Sequence, residues 1–363
     1  MNAIDAAMEE AVATGVFPAA ELLVTREAAI VHHAHYGHAR RGMLYDIASL
    51  TKPVATTSVL MHAIAAGHLQ LGDRLIDRLP GVPHATHTAI TIGHCLRHMA
   101  GYPAWQPYFQ EVPERTIGTP AGREMVVRRA MQELPVAAPG TACTYSDIGF
   151  ILLGEVVERT EGHGLERLFD ERIARPVGMT HTHFRPLPQS GRPMVAAGAK
   201  LSDRRFAPTE DCPWRRKTVH GEVHDQNCYA MGGVAGHAGL FSTAADLHRF
   251  AAAIHAADRG RSDCFAPDVV RALLRPEDPA PQGATWVYGW DRPAPHNSQA
   301  GRHFSRDSIG HLGYTGCSLW IDLEQDFWII LLTNRVHPST TNEKIRAFRP
   351  LLHDVIYESL LVR

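Results

Sequence analysis

The β-rich segments of this chain lie at its two ends, and this distribution limits the folds available to it. Near the start, AAELLVTREAAIVHHAHYGHA contains two short β-like runs around Arg26–Glu27, which predicts a hairpin. Near the end, IGHLGYTGCSLWID and DFWIILLTN predict strands, and a helix follows over roughly residues 341–359. Between them, from about residue 75 to 230, helical segments are joined by loops rich in proline and glycine.

The simplest closure pairs the terminal strands with one another. This predicts an α+β fold with a mainly antiparallel sheet built from N- and C-terminal strands, flanked by helices, with an inserted mostly helical lobe. We therefore predict a discontinuous α/β lobe from residues 1–75 and 230–363, and a helical lobe from residues 76–229. A functional site is expected in the cleft between the two lobes.

The composition excludes several classes of partner. The chain has 363 residues, of which 45% are hydrophobic and 20% charged, as in an ordinary globular protein. A net charge of -2 gives no electrostatic footprint for nucleic acid. No window is long and apolar enough for a membrane span. The opening MNAIDAAMEEAVATG lacks the basic and apolar regions of a secretory signal, so we expect a cytoplasmic protein with reduced cysteines.

The stretch YDIASLTKP contains a serine and a lysine at positions suited to nucleophilic catalysis. At i and i+3 of a helix, Ser49 and Lys52 share one face, so the amine can reach the hydroxyl. A serine hydroxyl needs a base to take its proton, and a lysine serves only when its neutral form is favoured. The alternative interpretation is that Ser49 is simply an N-cap and Lys52 a solvated residue of the first turn.

Two further stretches give this motif a context. TYSDIGFILLGEVVER places Tyr145 and Asp147 just before an amphipathic helix, and GHLGYTGCSLWID places His311, Gly313, Thr315 and Gly316 on a predicted strand. Together the three stretches resemble the serine β-lactamase-like and penicillin-binding-protein-like superfamily, in particular its class C β-lactamase, D-peptidase and family VIII carboxylesterase group. The matching motifs are Ser49-x-x-Lys52, Tyr145-x-Asp147 and His311-x-Gly313, and the resemblance runs from about residue 5 to 357.

The resemblance implies a role for each motif residue. Ser49 attacks a carbonyl carbon and becomes acylated, while Lys52 and Tyr145 share the work of the base. The backbone N–H groups of Ser49 and Tyr314 form the oxyanion hole, because Tyr314 directly follows the third motif. Asp147, His311 and Gly313 are expected to bind substrate, and the strand glycines to let it approach the strand edge.

Two of these positions depart from the pattern of the group. Asp147 stands where many relatives have asparagine, and a carboxylate near Lys52 favours the charged amine, which opposes a base role. Either Asp147 is paired elsewhere or Tyr145 carries more of that role. His311 replaces a lysine that helps to hold a substrate carboxylate, and a neutral imidazole is a poorer anchor for an anion.

These two changes lower the positive charge of the predicted site. We therefore expect a preference for neutral or amine-bearing acyl substrates and poor handling of β-lactams. Arg302 or Arg306, upstream of the strand, could restore an anchor for a carboxylate.

No cofactor or metal is expected from the sequence. His33 and His35 would share one strand face, as a metal site could use, but no third ligand accompanies them at diagnostic spacing. Trp105, Tyr108 and Trp290 are candidates for lining the cleft, although core positions suit them equally well.

The sequence thus predicts a serine acyl-hydrolase that acts through an acyl-enzyme on small esters or amides. Its expected partner is a small-molecule acyl substrate, with no nucleic acid and no membrane; the oligomeric state stays open. One alternative is a D-stereospecific peptidase, DD-carboxypeptidase or weak β-lactamase that uses the same residues. An alternative of another class is a non-catalytic binding or sensing module on the same fold.

Overall fold

The computed structural model describes residues 2–83, 87–194, 205–277, 281 and 283–362, and it is organised around a five-stranded antiparallel sheet. In chain order the strands are β1 (Ala19–Arg26), β2 (Ala29–Gly37), β3 (Tyr45–Asp46), β4 (His183–Phe184), β5 (Asp211–Cys212), β6 (Lys217–Thr218), β7 (Leu240–Ser242), β8 (Ile309–Leu312), β9 (Ser318–Asp322) and β10 (Phe327–Thr333). The five-stranded sheet has the order β2-β1-β10-β9-β8, so strands from the two ends of the chain pair at its centre. Leu22 of β1 lies opposite Leu331 of β10.

Burial explains the character of the individual strands. The sequence FWIILLT of β10 is buried along its whole length, as expected for a central strand covered on both faces. In contrast, β2 lies at an edge, and most of its side chains are exposed or only partly buried. The hairpin predicted around Arg26–Glu27 is the connection between β1 and β2.

Helices cover both faces of the sheet. In chain order they are α1 (Ala3–Ala13), α2 (Ser58–Ala65), α3 (Leu75–Arg78), α4 (Ile92–Leu96), α5 (Pro120–Gln132), α6 (Asp147–Glu161), α7 (Leu165–Phe169), α8 (Arg175–Val177), α9 (Gln226–Ala230), α10 (Ala244–Asp258), α11 (Pro267–Leu274) and α12 (Ile345–Ile356). On one face, Met8 of α1 and Leu352 of α12 share a core cluster with Leu22. A larger cluster joins the other face to α10 and to the helices of the middle segment. None of the described helices is long and apolar enough to cross a bilayer.

The α+β architecture predicted from the sequence is confirmed, although two local predictions are wrong. The segment predicted as one strand over IGHLGYTGCSLWID is two strands, because Gly313 N–H donates to the Cys317 carbonyl and closes a turn after Leu312. The single helix predicted from Ser49 is three pieces: a 3₁₀ turn (Ala48–Leu50), a π-helix (Lys52–Thr57) and α2. The division into lobes at residues 75 and 230 stays a prediction.

A glycine contact fixes the loop between α9 and β7 against α6. Gly236 packs on Gly154, and its carbonyl accepts a hydrogen bond from Thr56 Oγ1 at 2.7 Å. A Cβ atom at Gly236 would lie 2.1 Å from the Phe150 carbonyl oxygen, which leaves no room for any side chain. This loop is therefore held between α6 and the helical segment that carries Thr56.

We expect Gly236→Ala to destabilise the protein by about 2 kcal/mol, because overpacking at a backbone contact forces the two segments apart. Urea unfolding would measure the change in free energy. Gly72→Ala is the matched control, since a Cβ atom there meets nothing within 4 Å, and it should change stability by less than about 0.5 kcal/mol. Equal stabilities of the two variants would contradict the packing argument.

Candidate active site

The segment that carries Ser49 is held in a strained backbone conformation by a buried carboxylate. Ala48 has a positive φ of 47°, which is uncommon for a residue other than glycine. Asp46 is fully buried; its Oδ1 accepts the Ala48 N–H at 2.8 Å and its Oδ2 accepts the His224 N–H at 2.6 Å. Ser49 is therefore not the N-cap but lies inside the first turn. The first hydrogen bond of this turn runs from Leu50 N–H to the Ile47 carbonyl, so the N–H of Ser49, one residue earlier, is not used by the helix.

Lys52 lies directly beneath Ser49 and is completely buried. Its Nζ donates to Ser49 Oγ at 3.0 Å, to Asp147 Oδ1 at 2.6 Å and to the His237 carbonyl at 3.2 Å. An ammonium has three donors, so these acceptors use all of them. Burial by itself favours the neutral amine, but the carboxylate of Asp147 and the phenol of Tyr145 outweigh it and raise the pKa of Lys52.

Asp147 thus pairs with Lys52 itself. The sequence had also allowed Asp147 to be paired elsewhere, and the structure does not place it so. Asp147 is the first residue of α6. Its side chain is about one-sixth exposed, whereas that of Lys52 is fully buried. Its backbone N–H donates to the Ala104 carbonyl at 2.9 Å, so the helix start is fixed to the preceding loop. The resting site therefore contains a charged Lys52 held by an anion.

Tyr145 completes this group from the turn before α6. Its phenol is close enough to Ser49 and Lys52 for both to lower its pKa, but burial and the charge of Asp147 dominate and raise the pKa above the usual value. The Lys52 Nζ lies 5.0 Å from the centre of the tyrosine ring. In the resting protein both Tyr145 and Lys52 consequently carry their protons.

Sequence reasoning missed His98, which positions Tyr145. Their rings pack with centroids 4.6 Å apart, and Trp286 packs against both rings. His98 Nδ1 accepts the Ser146 N–H at 3.1 Å, and its carbonyl accepts the Thr144 N–H at 2.9 Å. Burial lowers the pKa of His98 well below its ordinary value, so the ring is neutral. A lone histidine between distant helices carries no sequence signal for this role.

His311 presents a neutral imidazole to the same group. Burial, helped by the charge of Lys52, lowers its pKa to about 3. Its Nδ1 lies 2.9 Å from the Leu312 carbonyl and must carry the proton, because a carbonyl can only accept. The Nε2 of the neutral ring is then an acceptor, and it has no hydrogen-bond partner among the described residues.

Gly313 lies against the segment that leads to Ser49. A Cβ atom there would lie 2.5 Å from the Ile47 carbonyl oxygen, so the space beside Gly313 holds the segment that leads to Ser49. The role of Gly313 in binding substrate stays a prediction. The next residue, Tyr314, has a side chain that is 53% exposed and stacks under the Arg335 guanidinium at 4.6 Å.

These residues line one cleft of about 810 Å³. The predicted site residues that face it are Ser49, Tyr145, Asp147, His311, Gly313 and Tyr314. Of the aromatic candidates, Trp105 lines the cleft, whereas Tyr108 and Trp290 belong to the core.

Three arginines that the sequence analysis did not place in the site also line the cleft: Arg335, Arg346 and Arg349. Arg349 is buried and donates to Gln299 Oε1 at 2.7 Å and to the Gly316 carbonyl at 3.2 Å. Burial lowers its pKa to about 10, which leaves it cationic near neutral pH. Among the described residues, no carboxylate lies within 4.0 Å of the guanidinium of Arg335 or Arg349.

Four carboxylates line the same cleft, those of Asp147, Glu210, Asp225 and Asp291, so the expected preference for neutral or amine-bearing substrates stays a prediction. Arg302, which was considered as an anchor, instead pairs with Asp354 and Glu358, and neither it nor Arg306 lines the cleft. The arginines at 346 and 349 lie on α12, far along the chain from the three motifs, so spacing alone could not assign them.

Comparisons with known proteins agree with this architecture. The family model described as "Beta-lactamase" matches residues 4–352. An Escherichia coli (strain K12) protein named "Putative D-alanyl-D-alanine carboxypeptidase" is 30% identical over 93% of this chain and 82% of its own. The Bacillus subtilis (strain 168) "N-acetylmuramyl-L-alanine amidase" is 28% identical over 93% of this chain and 81% of its own. The structure of EstCE1, "a hydrolase with promiscuous acyltransferase activity", superposes with a TM-score of 0.69 at 19% identity, covering 96% of this chain and 97% of that one.

Asp147→Asn tests the electrostatics of Lys52. The folded-state pKa of Lys52 is raised in the wild type, so its contribution to stability is complete below the unfolded pKa and constant from about pH 6 to about pH 9. Without the carboxylate, burial dominates and the folded-state pKa falls below the unfolded one. The folded variant then binds fewer protons than the unfolded chain, so its stability should rise with pH across this range.

Near neutral pH we expect the variant to be less stable by about 3 kcal/mol, as for a broken buried ion pair. Urea unfolding at several pH values would measure both effects. Asp268→Asn is the control, because that side chain is fully exposed, and it makes the same charge change. A parallel pH dependence in wild type and Asp147→Asn would contradict the assigned pairing.

Proposed function

Because this chain belongs to the β-lactamase family, we propose that it is a serine acyl-hydrolase that forms an acyl-enzyme at Ser49. The observation that carries the proposal is the contact of 3.0 Å between Ser49 Oγ and Nζ of the fully buried Lys52. A solvated lysine beside a capping serine would have neither this burial nor this contact. The substrates we propose are small esters or amides.

Backbone amides would stabilise the negative charge that develops on the substrate oxygen. The amide of Ser49 lies in the first helical turn, ahead of the first intrahelical bond, and Tyr314 follows Gly313 on the facing turn. The Gly313–Ile47 contact brings these two segments together. Two converging N–H groups of this kind form the usual oxyanion hole.

The proton of Ser49 needs an acceptor, and the resting charges indicate how one is generated. Substrate that displaces water from the cleft lowers the local dielectric constant, which favours the neutral pair of amine and carboxylic acid over the ion pair. A proton then moves from Lys52 to Asp147, and Lys52 takes the proton of Ser49, directly or through the Tyr145 hydroxyl. As the tetrahedral intermediate collapses, Lys52 or Tyr145 gives a proton to the leaving group and Asp147 returns its own.

The cleft also supports a substrate that carries a free carboxylate. Arg349 presents positive charge there, Arg346 adds a guanidinium that pairs with Glu343 at 3.1 Å, and a guanidinium suits bidentate binding of a carboxylate. His311 also lines the cleft, and its buried Nε2, which has no partner among the described residues, would accept an N–H of a substrate that reaches it. This combination favours the peptidase alternative, an amide with a terminal carboxylate, over neutral esters. The carboxypeptidase name of the Escherichia coli relative agrees with that substrate class.

Covalent labelling tests the acyl-enzyme and excludes the non-catalytic alternative. We expect a fluorophosphonate or a fluorescent penicillin to label the wild type at Ser49, as located by peptide mass spectrometry. Ser49→Ala should lose the adduct and lower kcat by roughly 10⁴-fold. Ser359→Ala, at an exposed serine on the terminal helical segment, is the control and should label normally. An undiminished adduct on Ser49→Ala would defeat the proposal.

Paired substrates test the role of the arginines. For a D-alanyl-D-alanine peptide and its C-terminal amide, we expect the wild type to prefer the free acid. Arg349→Gln and Arg346→Gln should each lower kcat/KM for the acid by about tenfold, as for one lost charge-assisted bond, and change the amide by less than about twofold.

Arg346 is a useful second position because its side chain is 68% exposed and its ion pair is with the exposed Glu343. Arg302→Gln, an exposed arginine outside the cleft, is the matched control. If both substrates lost activity equally in the cleft variants, the arginines would not bind the carboxylate.

A further inference from the structure

A second cluster of chemically active side chains lies on the first two strands, outside the cleft. It consists of Glu21 on β1 with His33 and His35 on β2. In the register of the hairpin, Glu21 is directly opposite His35, and His33 is two residues from His35 on the same face. The third ligand that the histidine spacing lacked therefore comes from the neighbouring strand.

The distances within the cluster suit a bound cation. Glu21 Oε1 lies 2.8 Å from His33 Nε2 and 3.6 Å from His35 Nε2, and one ligand atom from each residue lies within 4.8 Å of the others. Metal–ligand bonds of about 2.0–2.2 Å at tetrahedral angles separate ligand atoms by roughly 3.3 Å. The three atoms need only small movements to reach that arrangement.

Two features show that the protein alone leaves this cluster incomplete. The Glu21 side chain is only 3% exposed, yet the described residues place no lysine or arginine within 4.0 Å of its carboxylate. The Nε2 of His35 is buried and has no hydrogen-bond partner among them. A buried anion beside an unused imidazole nitrogen is the environment that a divalent cation would satisfy.

The surroundings orient the carboxylate and leave access to solvent. Glu21 Oε2 accepts the N–H of Ala244, the first residue of α10, at 3.3 Å, which leaves Oε1 turned towards the histidines. Such an outer contact commonly fixes a metal ligand. His33 is exposed, so an ion can enter and keep a water molecule in a fourth position. Arg41 lies near His35 and His248 lies near His33, and both can carry a positive charge, which is the sign of the metal ion.

We propose that Glu21, His33 and His35 bind a divalent transition metal of the zinc class. Two histidines and one carboxylate form a ligand set that zinc uses. The site lies at the β2 edge of the sheet and the catalytic strand β8 at the other, about 19 Å away at four strand spacings. The ion joins the edge strand to β1 and to the start of α10, and it stabilises the fold without taking part in hydrolysis.

Titration of tag-free, metal-stripped protein with Zn²⁺ and Co²⁺ tests this site. We expect one ion per chain by calorimetry, visible d–d absorption bands with Co²⁺, and a rise in Tm of about 3 °C with Zn²⁺ at a hundredfold excess over Kd. His33→Ala and His35→Ala should weaken binding at least tenfold and remove the rise in Tm. Hydrolytic activity should be the same with and without the metal.

His38→Ala is the control, because His38 is exposed just beyond the same strand and outside the cluster. His33 is also exposed, so its variant should fold even if the His35 variant does not. Absence of binding to the wild type would overturn the proposal and leave a simple contact between Glu21 and His33. Undiminished binding to His33→Ala would also overturn it and place the metal at other histidines.

Discussion

The structure around the cleft depends on the hydrogen bonds that the buried ammonium group of Lys52 donates. Lys52 has no exposed surface, and an ammonium without acceptors in such a position would be strongly destabilising. Its three acceptors come from separate parts of the chain: its own helical segment, the start of α6 at a separation of 95 residues, and the glycine-rich loop at a separation of 185. The glycines of that loop allow it to approach α6 closely enough for the His237 carbonyl to reach Nζ.

Asp147 changes the chemistry of this site relative to an asparagine. An amide at this position would leave burial to favour the neutral form of Lys52, whereas the carboxylate raises the pKa of the lysine and favours its charged form. The carboxylate is also a place where the lysine proton can go, at 2.6 Å and without passing through solvent. In the proposed mechanism, the same two side chains form an ion pair at rest and supply a base when substrate excludes water.

Much of this organisation could be predicted because its signals are local. The fold class and the family are confirmed, and they followed from β-like runs at both chain ends and from three short motifs in order. The helical spacing of Ser49 and Lys52 predicted a contact that the structure contains. The start of that helix was mispredicted because Ala48 has a positive φ and donates its N–H to the buried carboxylate of Asp46. The sequence does not show that Asp46 makes this contact.

The remaining features depend on contacts between distant segments. His98 acts through a ring contact, Arg346 and Arg349 reach the cleft from α12, and Glu21 meets its histidines only through the register of a hairpin. None of these residues has a spacing that distinguishes it from ordinary core or surface positions. Pairings of this kind are set by tertiary packing and not by periodicity.

The contact between Gly313 and the Ile47 carbonyl has a consequence for how such a site can diversify. It joins main chain to main chain, and the Thr315 hydroxyl adds a bond to the Asp46 carbonyl at 2.7 Å from the same turn. Substitutions of side chains that face the cleft would leave the contact between the Ile47 and Gly313 segments unchanged. In the proposed mechanism, new acyl or leaving groups can therefore be accommodated by changes at Arg346 and the outer wall of the cleft, while the segments around Ser49 and Gly313 keep their separation. In the proposed mechanism, selectivity can thus change through outer side chains while the catalytic side chains stay on the joined backbones.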